Sequence, residues 1–212
     1  MKSVIFIAPP AAGKGTQATR LSKDFNLEHI STGDLLREEV KNGNQELQEI
    51  MESGNLVSDD IVLSILSKKL DSLKTGYILD GFPRNLNQAI SLDKILEEKN
   101  TKIDYVIYLS LDKEIAEKRI VGRVSCPNCG NVYNTMIEGM NSKAYMICDD
   151  CNSSLIKRKD DNSETFDIRF NTYIKETEPL IEYYKSKGVL YQVDSSKNTE
   201  QVYEDIKLIL ND

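Results

Sequence analysis

The stretch from Val4 to Thr16, which reads VIFIAPPAAGKGT, constrains the fold more than any other part of the chain. Its apolar first half predicts a short buried strand, and the residues after the Pro9–Gly13 turn predict a helix. Backbone N–H groups of the turn and of the first helical turn would then point at one spot, where the helix dipole also favours an anion. Lys14 adds a positive charge that reaches outer phosphates, and Thr16 adds a hydroxyl near a bound magnesium ion. The segment therefore predicts a phosphate-binding loop.

The match to the pattern G-x-x-x-x-G-K-[ST] has two departures. Ala8 stands where the first glycine belongs, and Gly15 stands between Lys14 and Thr16. The alanine is costly only if its position requires a positive φ or a very close backbone approach. The alternative interpretation is an ordinary strand, turn and helix that carries a surface lysine.

Apolar runs alternate with amphipathic segments along the chain, which predicts an α/β fold with a parallel sheet and helices on both faces. The predicted strands are Val4–Ala8, Glu28–Ile30, Tyr77–Leu79, Tyr105–Leu111 and Leu190–Val193. The predicted helices cover 14–25, 34–41, 45–52, 59–73, 86–99 and 112–119, with a closing helix through Val202, Ile206 and Ile209. A stripe at helical spacing predicts core packing by Phe166, Phe170, Tyr173, Ile174, Thr177, Ile181 and Tyr184. The alternation of strands and helices stops between Val124 and Asp161, so we expect a small insert there.

Net charge and hydropathy argue against several classes of function. The chain has 212 residues and a net charge of -7, which argues against a nucleic-acid coat. No apolar run approaches the roughly 20 residues of a membrane span. The first apolar stretch is too short for the core of a signal peptide, so we expect a cytoplasmic protein.

Four cysteines fall within the insert as two C-x-x-C pairs, Cys126–Cys129 and Cys148–Cys151, separated by 18 residues. This spacing is typical of a four-thiolate zinc site. A closed set of four ligands leaves no position for a substrate water, so the metal would be structural. An insert of about 38 residues is too small to bury its own core, and metal binding would supply folding free energy. Disulfides or unpaired thiols are the alternatives.

The segment Ser31–Arg37, STGDLLR, follows a short predicted strand and opens a helix. Ser31 and Thr32 are natural N-caps. Capping leaves Arg37 unexplained, and this residue could hold a phosphate with both arms of its guanidinium.

The segment Tyr77–Arg84, YILDGFPR, places Asp80 at the end of a buried strand. In open parallel sheets ligands bind outside this carboxyl edge. Asp80 would orient magnesium through the water ligands of the metal, and Arg84 would reach a substrate phosphate. A solvated strand end with a turn at Gly81 and Pro83 is the alternative.

These three motifs, in this order, closely resemble the adenylate kinase family. The resemblance extends through Arg119–Arg123, Arg158–Asp161 and Arg169, and so covers nearly every segment. It implies a P-loop NTPase-type parallel sheet flanked by helices. It also implies a core domain (1–30, 60–122 and 161–212), an inserted monophosphate-binding domain (31–59) and a zinc-ribbon-like lid (123–160).

The resemblance also implies site residues. Catalysis would rest on Lys14, Arg84, Arg119, Arg123, Arg158 and Arg169. ATP would contact Ala11, Ala12, Gly13, Lys14, Gly15, Thr16, Arg119, Arg123, Val132, Tyr133 and Lys197. AMP would contact Thr32, Arg37, Asn55, Leu56, Val57, Gly81, Phe82, Pro83, Arg84, Gln88, Arg158 and Arg169.

Four positions depart from the family pattern. They are Ala8 and Ala11 in the loop, Asn85 in place of threonine, and Asn134 in place of histidine. None of them removes a charged group assigned to the reaction. His29 is expected to be a packed or surface residue rather than a base. Asp160 and Asp161 are either a solvated turn or, at the lid hinge, carboxylates that hold arginines in place.

The resemblance implies reversible, magnesium-dependent transfer of the terminal phosphoryl group of ATP to AMP, which gives two ADP. The expected cofactors are structural zinc in the lid and magnesium with ATP. The expected partners are ATP, AMP and ADP, with no nucleic acid, no membrane and a monomeric chain. One alternative is a UMP/CMP or GMP kinase. Another is a zinc-ribbon module that binds nucleic acid or protein beside a nucleotide switch.

Overall fold

Five parallel strands form the central sheet. The structure is a computed structural model, and it describes residues 2–53 and 57–211, without the side chain of Glu46. The sheet order is β2-β3-β1-β4-β7, and every neighbouring pair is parallel. The strands are β1 (Ser3–Ile7), β2 (Glu28–Ser31), β3 (Tyr77–Asp80), β4 (Tyr105–Ser110) and β7 (Leu190–Asp194). Each of the five predicted strands is therefore present.

Helices cover both faces of this sheet. They are α1 (Lys14–Asp24), α2 (Thr32–Lys41), α3 (Gln45–Glu52), α4 (Asp59–Asp71), α5 (Leu86–Glu98), α6 (Lys113–Val121), α7 (Ser163–Thr172), α8 (Pro179–Ser186) and α9 (Thr199–Asn211). Successive residues of β1 point to opposite faces. Ile5 and Ile7 join a core with α4, α5 and α8, whereas Val4 and Phe6 join a second core with α1 and α9. Because both faces are covered, β1 is apolar throughout its length.

Polar side chains define the starts of several helices. Ser31 caps α2 by accepting a hydrogen bond of 3.2 Å from Asp34 N, as one of the two predicted caps. Asn85 caps α5 by accepting a hydrogen bond of 2.8 Å from Gln88 N. These caps set where α2 and α5 begin, next to the carboxyl edge of the sheet.

The apolar stripe after residue 163 departs from one continuous helix. A π-helical turn, Tyr173–Thr177, separates α7 from α8, and Glu178 N donates to Tyr173 O across five residues at 2.9 Å. The wider turn holds one more residue than an α-helical turn. Tyr173 and Thr177 are buried within it, whereas Ile174 is 42% exposed. The prediction that Ile174 packs in the core was therefore wrong.

The insert after α6 contains a separate two-stranded antiparallel sheet. Its strands are β5 (Arg123–Ser125) and β6 (Val132–Asn134). A small buried cluster beneath them combines Val124 and Leu155 with Cys126 and Cys148. Within the described residues, no helix has the length and apolar character needed to cross a lipid bilayer.

Candidate active site

The loop between β1 and α1 has the backbone that a phosphate-binding turn requires. Gly13 lies at φ 87° and caps α1, and Ala11 also has a positive φ of 62°. Ala8 is buried and lies outside the left-handed region, so the lost glycine at this position costs no backbone strain. Ala11 is the position where an L-residue is strained, by about 1 kcal/mol.

Lys14 opens α1 within a strongly positive environment. Burial lowers its pKa from 10.5 to about 8; Asp80 raises the pKa, and Arg84, Arg169 and Arg123 each lower it. Its Nζ donates to Ala8 O at 3.3 Å. Lys14, Arg84 and Arg169 line the same cleft, and the charge of Arg123 also lowers the pKa of Lys14.

Asp80 ends β3 above the start of α1. A Cβ added at Gly15 would lie 3.4 Å from Asp80 Oδ2, so this carboxylate is directly adjacent to the phosphate loop. His29 Nε2 lies 3.3 Å from the same oxygen. The only histidine is therefore a partly buried neighbour of Asp80, in keeping with a packed residue. A carboxylate at the carboxyl edge beside the loop has the chemistry that magnesium prefers.

Arg84 follows Asp80 in the chain, in a turn that is fixed by short contacts. Its Nε donates to Gly81 O at 2.8 Å, and burial lowers its pKa. Thr32 Oγ1 also donates to Gly81 O, at 2.9 Å. Gly81 has φ 83°, and a Cβ there would lie 2.9 Å from Thr32 Oγ1, so both conformation and space require glycine.

The turn that holds Arg84 contains a buried aromatic residue. Phe82 is fully buried, and the Phe82–Pro83 peptide bond is cis. From the π-helical turn, Thr177 Oγ1 donates to Arg84 O at 2.7 Å. The backbone of Arg84 is thus held by the core as well as by its own loop.

Arg37 projects from the first turns of α2 toward the same cleft. Its Nε and Nη2 bind Asp34 Oδ1 at 3.2 and 2.5 Å, and the side chain passes over Gly33. Val57 is buried and lines the cleft with Arg37. Two predicted AMP contacts, Asn55 and Leu56, lie outside the described residues.

Gln88 lines the cleft from the first turn of α5 and is 2% exposed. Its Oε1 accepts from Arg84 N at 2.7 Å, and its Nε2 donates to Asp59 Oδ1 at 2.7 Å. Its amide is therefore fixed at both ends.

Two carboxylates at the end of the insert hold arginines. Asp161 is fully buried and binds Arg123 at 2.7 and 2.5 Å through both of its oxygens. Asp160 Oδ2 lies 2.8 Å from Arg169 Nη1. Burial lowers the pKa of Arg158, and Arg123 and Arg37 lower it further. The arginine-holding interpretation of Asp160 and Asp161 agrees with this geometry, whereas a solvated turn does not.

Arg119 lies at the base of the insert, away from this cluster. Its Nη1 donates to Ser195 O at 2.9 Å. Asn134, where the family often has histidine, donates to Arg119 O at 2.8 Å and so ties β6 to α6. Ser195 and Lys197 both lie in the loop after β7, and Lys197 Nζ binds Asp205 Oδ2 at 2.7 Å.

An open cleft runs between these elements. Among the predicted site residues, it is lined by Lys14, Thr32, Arg37, Val57, Gly81, Pro83, Arg84, Gln88 and Arg169. Ala11, Ala12 and Gly13 form the adjoining turn, and Gly15 and Thr16 the first turn of α1. The cleft therefore joins a phosphate loop to an arginine-rich wall.

The four cysteines form one compact group. They are free, and their Sγ atoms all lie within 4.8 Å of one another. A tetrahedral zinc site with Zn–S bonds of about 2.3 Å places its sulfurs about 3.8 Å apart. Hydrogen bonds from the side chain and backbone of Ser153 lower the pKa of Cys151 to about 5, and the Tyr133 hydroxyl lowers the pKa of Cys148. Although a backbone hydrogen bond at Asn131 lowers the pKa of Cys129, desolvation and the other three cysteines raise this pKa to about 12 in the absence of a metal. The group fits a zinc ion, and the disulfide alternative is not supported.

Tyr133 supports this cysteine group. Its hydroxyl accepts from Asp149 N at 2.9 Å and lies 3.5 Å from Cys148 Sγ. Val132 beside it is 43% exposed. The predicted ATP contact at Tyr133 therefore uses a residue whose hydroxyl is already engaged with the metal-binding group.

Sequence reasoning did not identify two residues that support the cleft. They are Asp59, which binds Gln88, and Thr177, which binds the backbone of Arg84. A helix-starting aspartate is a common cap, and no sequence pattern marks a π-helical turn. Only the tertiary contacts reveal their roles.

Comparison with known proteins agrees with this geometry. The family model described as adenylate kinase matches residues 6–189. A relative named adenylate kinase from Archaeoglobus fulgidus is 45% identical, with 98% of this chain and 97% of the relative aligned. Relatives with the same name from Caldanaerobacter subterraneus and Clostridium tetani are 43% and 39% identical, covering 98% of this chain and 95% and 98% of their own lengths. A phosphate loop, an arginine-lined cleft and near-full-length similarity lead to one conclusion: the chain belongs to the adenylate kinase family.

Proposed function

We propose that this protein transfers the terminal phosphoryl group of ATP to AMP, reversibly and with magnesium, to give two ADP. The observation that carries the proposal is that Lys14, Arg37, Arg84 and Arg169, which come from four distant segments, line one cleft. Phosphoryl transfer needs alignment and charge neutralisation more than covalent help from the protein. Family membership favours this reaction over transfer to UMP, CMP or GMP.

Each nucleotide takes one end of the cleft in this proposal. The backbone from Ala11 to Thr16, with Lys14, binds the ATP phosphates, and Arg119, Val132, Tyr133 and the backbone at Lys197 surround the rest of ATP. AMP lies against α2 and the turn after β3, where it meets Thr32, Arg37, Arg84 and Gln88. Arg123, Arg158 and Arg169 complete the phosphate contacts between the two nucleotides. Because an arginine keeps its charge when it is buried, this wall remains cationic without solvent.

The residues present fit both expected metals. Asp80 would hold magnesium through its water ligands, and the four cysteines would hold zinc. Bound magnesium neutralises charge on the ATP phosphates. The chain itself positions the carboxylate: β3 ends at Asp80, and Gly15 allows the phosphate loop to approach it. Zinc would stabilise the fold of the insert without taking part in the transfer.

Domain closure would exclude water from the transferring phosphoryl group. In the proposed division, the monophosphate domain covers 31–59, the lid covers 123–160, and the remainder is the core. Lys159 at the base of the lid lies 3.1 Å from Glu52 of α3, which supports contact between the two inserted domains across the cleft.

We propose that the chain acts as a monomer. Four free cysteines grouped for a metal fit a reducing compartment such as the cytoplasm. The proposed nucleotide partners are ATP, AMP and ADP.

A coupled assay for ADP formation from ATP and AMP, with and without magnesium, tests the reaction. Arg84→Ala should lower kcat by about 100- to 1,000-fold, because it removes a buried cation from the proposed transfer site. Arg20→Ala is the matched control, since Arg20 pairs with Glu200 on the surface. Near-normal turnover of Arg84→Ala, or a clear preference of the wild type for a pyrimidine monophosphate, would refute the proposal.

A further inference from the structure

The Gln88 side chain is held between an obligatory acceptor and an obligatory donor. The carboxylate of Asp59 accepts from Gln88 Nε2 at 2.7 Å, and the backbone N–H of Arg84 donates to Gln88 Oε1 at 2.7 Å. In a flipped amide, the Gln88 oxygen would face the Asp59 carboxylate oxygen, and the Gln88 NH₂ group would face the Arg84 N–H group. Both contacts would then become repulsive, so the pair of neighbours specifies one orientation.

Asn85 holds the Asp59 carboxylate in place, and this carboxylate in turn orients the Gln88 amide. Its Nδ2 donates to Asp59 Oδ1 at 2.9 Å, while its own Oδ1 accepts from Gln88 N at 2.8 Å. One carboxylate oxygen of Asp59 thus receives two amide donors from the start of α5. The contact joins the first turn of α4 to the first turn of α5, across 29 residues of sequence.

A primary amide has two donor hydrogens and two acceptor lone pairs. Asp59 uses one hydrogen of Gln88 and Arg84 N uses one lone pair, so one donor and one acceptor remain for a ligand. Adenine presents a 6-amino donor and an N1 acceptor, which match this remaining pair. Hypoxanthine and guanine present a 6-oxo acceptor and an N1–H donor, which require the opposite orientation of the amide.

We infer that Asp59 is a positioning residue that fixes the polarity of the Gln88 amide and thereby selects 6-aminopurine over 6-oxopurine monophosphates. The inference rests on the proposed function, in which AMP contacts Gln88, and it assigns that contact to the base. Asp59 itself needs no contact with the nucleotide. Without its carboxylate, a flipped Gln88 meets one unfavourable neighbour instead of two.

The test compares kcat/KM for AMP with kcat/KM for IMP, because these monophosphates differ at the 6-substituent and at N1. Asp59→Ala should lower the AMP-to-IMP ratio by about 10- to 100-fold, the value of one hydrogen bond to a charged group. The KM for ATP should change less than twofold. Asp60→Ala is the matched control, since Asp60 is an exposed carboxylate in the same helical turn, and its ratio should stay at the wild-type value.

Asp59→Leu keeps a side chain of similar size and shape and serves as the second variant if Asp59→Ala does not fold. It offers neither an acceptor nor a donor to Gln88, so the ratio should again fall. A ratio within twofold of wild type in the folded Asp59 variants overturns the inference.

Gln88→Ala separates this inference from the proposed function. If Gln88→Ala loses selectivity for AMP while the Asp59 variants keep it, the base contact stands and the polarity inference is refuted. If Gln88→Ala retains both AMP turnover and selectivity, Gln88 does not read the base, and the proposed AMP site and the inference fail together. Loss of selectivity in Gln88→Ala and in the Asp59 variants, but not in Asp60→Ala, supports both.

Discussion

The buried charge of Lys14 should make the nucleotide-free protein less stable than a variant without it. Burial and three neighbouring arginines, against the attraction of Asp80, lower the pKa of Lys14 from 10.5 to about 8. A pKa difference of one corresponds to about 1.4 kcal/mol, so the charged lysine lowers the free energy of unfolding by about 3 kcal/mol at pH 7. This value is an upper bound because part of the side chain still meets water in the open cleft. Lys14→Met should therefore increase the free energy of unfolding by up to about 3 kcal/mol at pH 7.

The pH dependence gives the sign of the effect. Below pH 8, Lys14 is protonated in both the folded and the unfolded chain, and the full cost applies. Between pH 8 and 10.5 the unfolded chain binds more protons at Lys14, so the stability of the wild type rises with pH relative to Lys14→Met. The advantage of the variant should shrink to about 1.4 kcal/mol at pH 9.5, since about one pKa step then remains.

Urea unfolding of both proteins, saturated with zinc and free of nucleotide, at pH 7 and pH 9.5 measures this difference. Lys23→Met is the matched control, because Lys23 is an exposed lysine of the same helix, and it should stay within about 0.5 kcal/mol of wild type. The same Lys14→Met protein should lose about 100- to 1,000-fold in kcat. A variant that is less stable than wild type at pH 7, or an advantage that does not shrink with pH, would refute the buried-charge argument.

Three further changes test the insert and its junction with the core. Cys148→Ser should release zinc and lower the melting temperature in parallel, as metal analysis and thermal scans can show; equal stability of zinc-free wild type would contradict this. Tyr133→Phe should weaken zinc binding by about tenfold in a chelator competition, because its hydroxyl contacts Cys148 Sγ, and unchanged affinity would count against it. Asp161→Ala should lower the free energy of unfolding in urea by about 3 kcal/mol, since it leaves the largely buried Arg123 without its partner. A loss below about 1 kcal/mol would show that Arg123 finds another anionic partner.

The features that depend on local sequence were predictable. The apolar run before Lys14 and the alternation that follows it were enough to predict the parallel sheet and its helices. The spacing of the cysteines predicted that Cys126 and Cys148 would come together, because each C-x-x-C turn has a fixed local geometry. These predictions needed no knowledge of distant contacts.

The features that depend on contacts between distant segments were not predictable. Asp59 and Gln88 are 29 residues apart, and each has an ordinary local role at the start of a helix. The exposure of Ile174 follows from a π-helical turn, which differs from an α-helical turn by one residue and has no characteristic composition. The positive φ of Ala11 likewise depends on how the loop meets its surroundings, since alanine by itself disfavours that conformation.

The carboxylates that hold Arg123 and Arg169 bear on how nucleotide binding responds to ionic strength. A guanidinium that leaves Asp161 or Asp160 for a phosphate exchanges one anionic partner for another. Nucleotide binding then displaces fewer salt ions than the number of arginines that contact the nucleotide, because protein carboxylates, rather than salt ions, had neutralised those arginines. Added salt should consequently weaken ATP binding less steeply than the number of cations in the cleft would suggest.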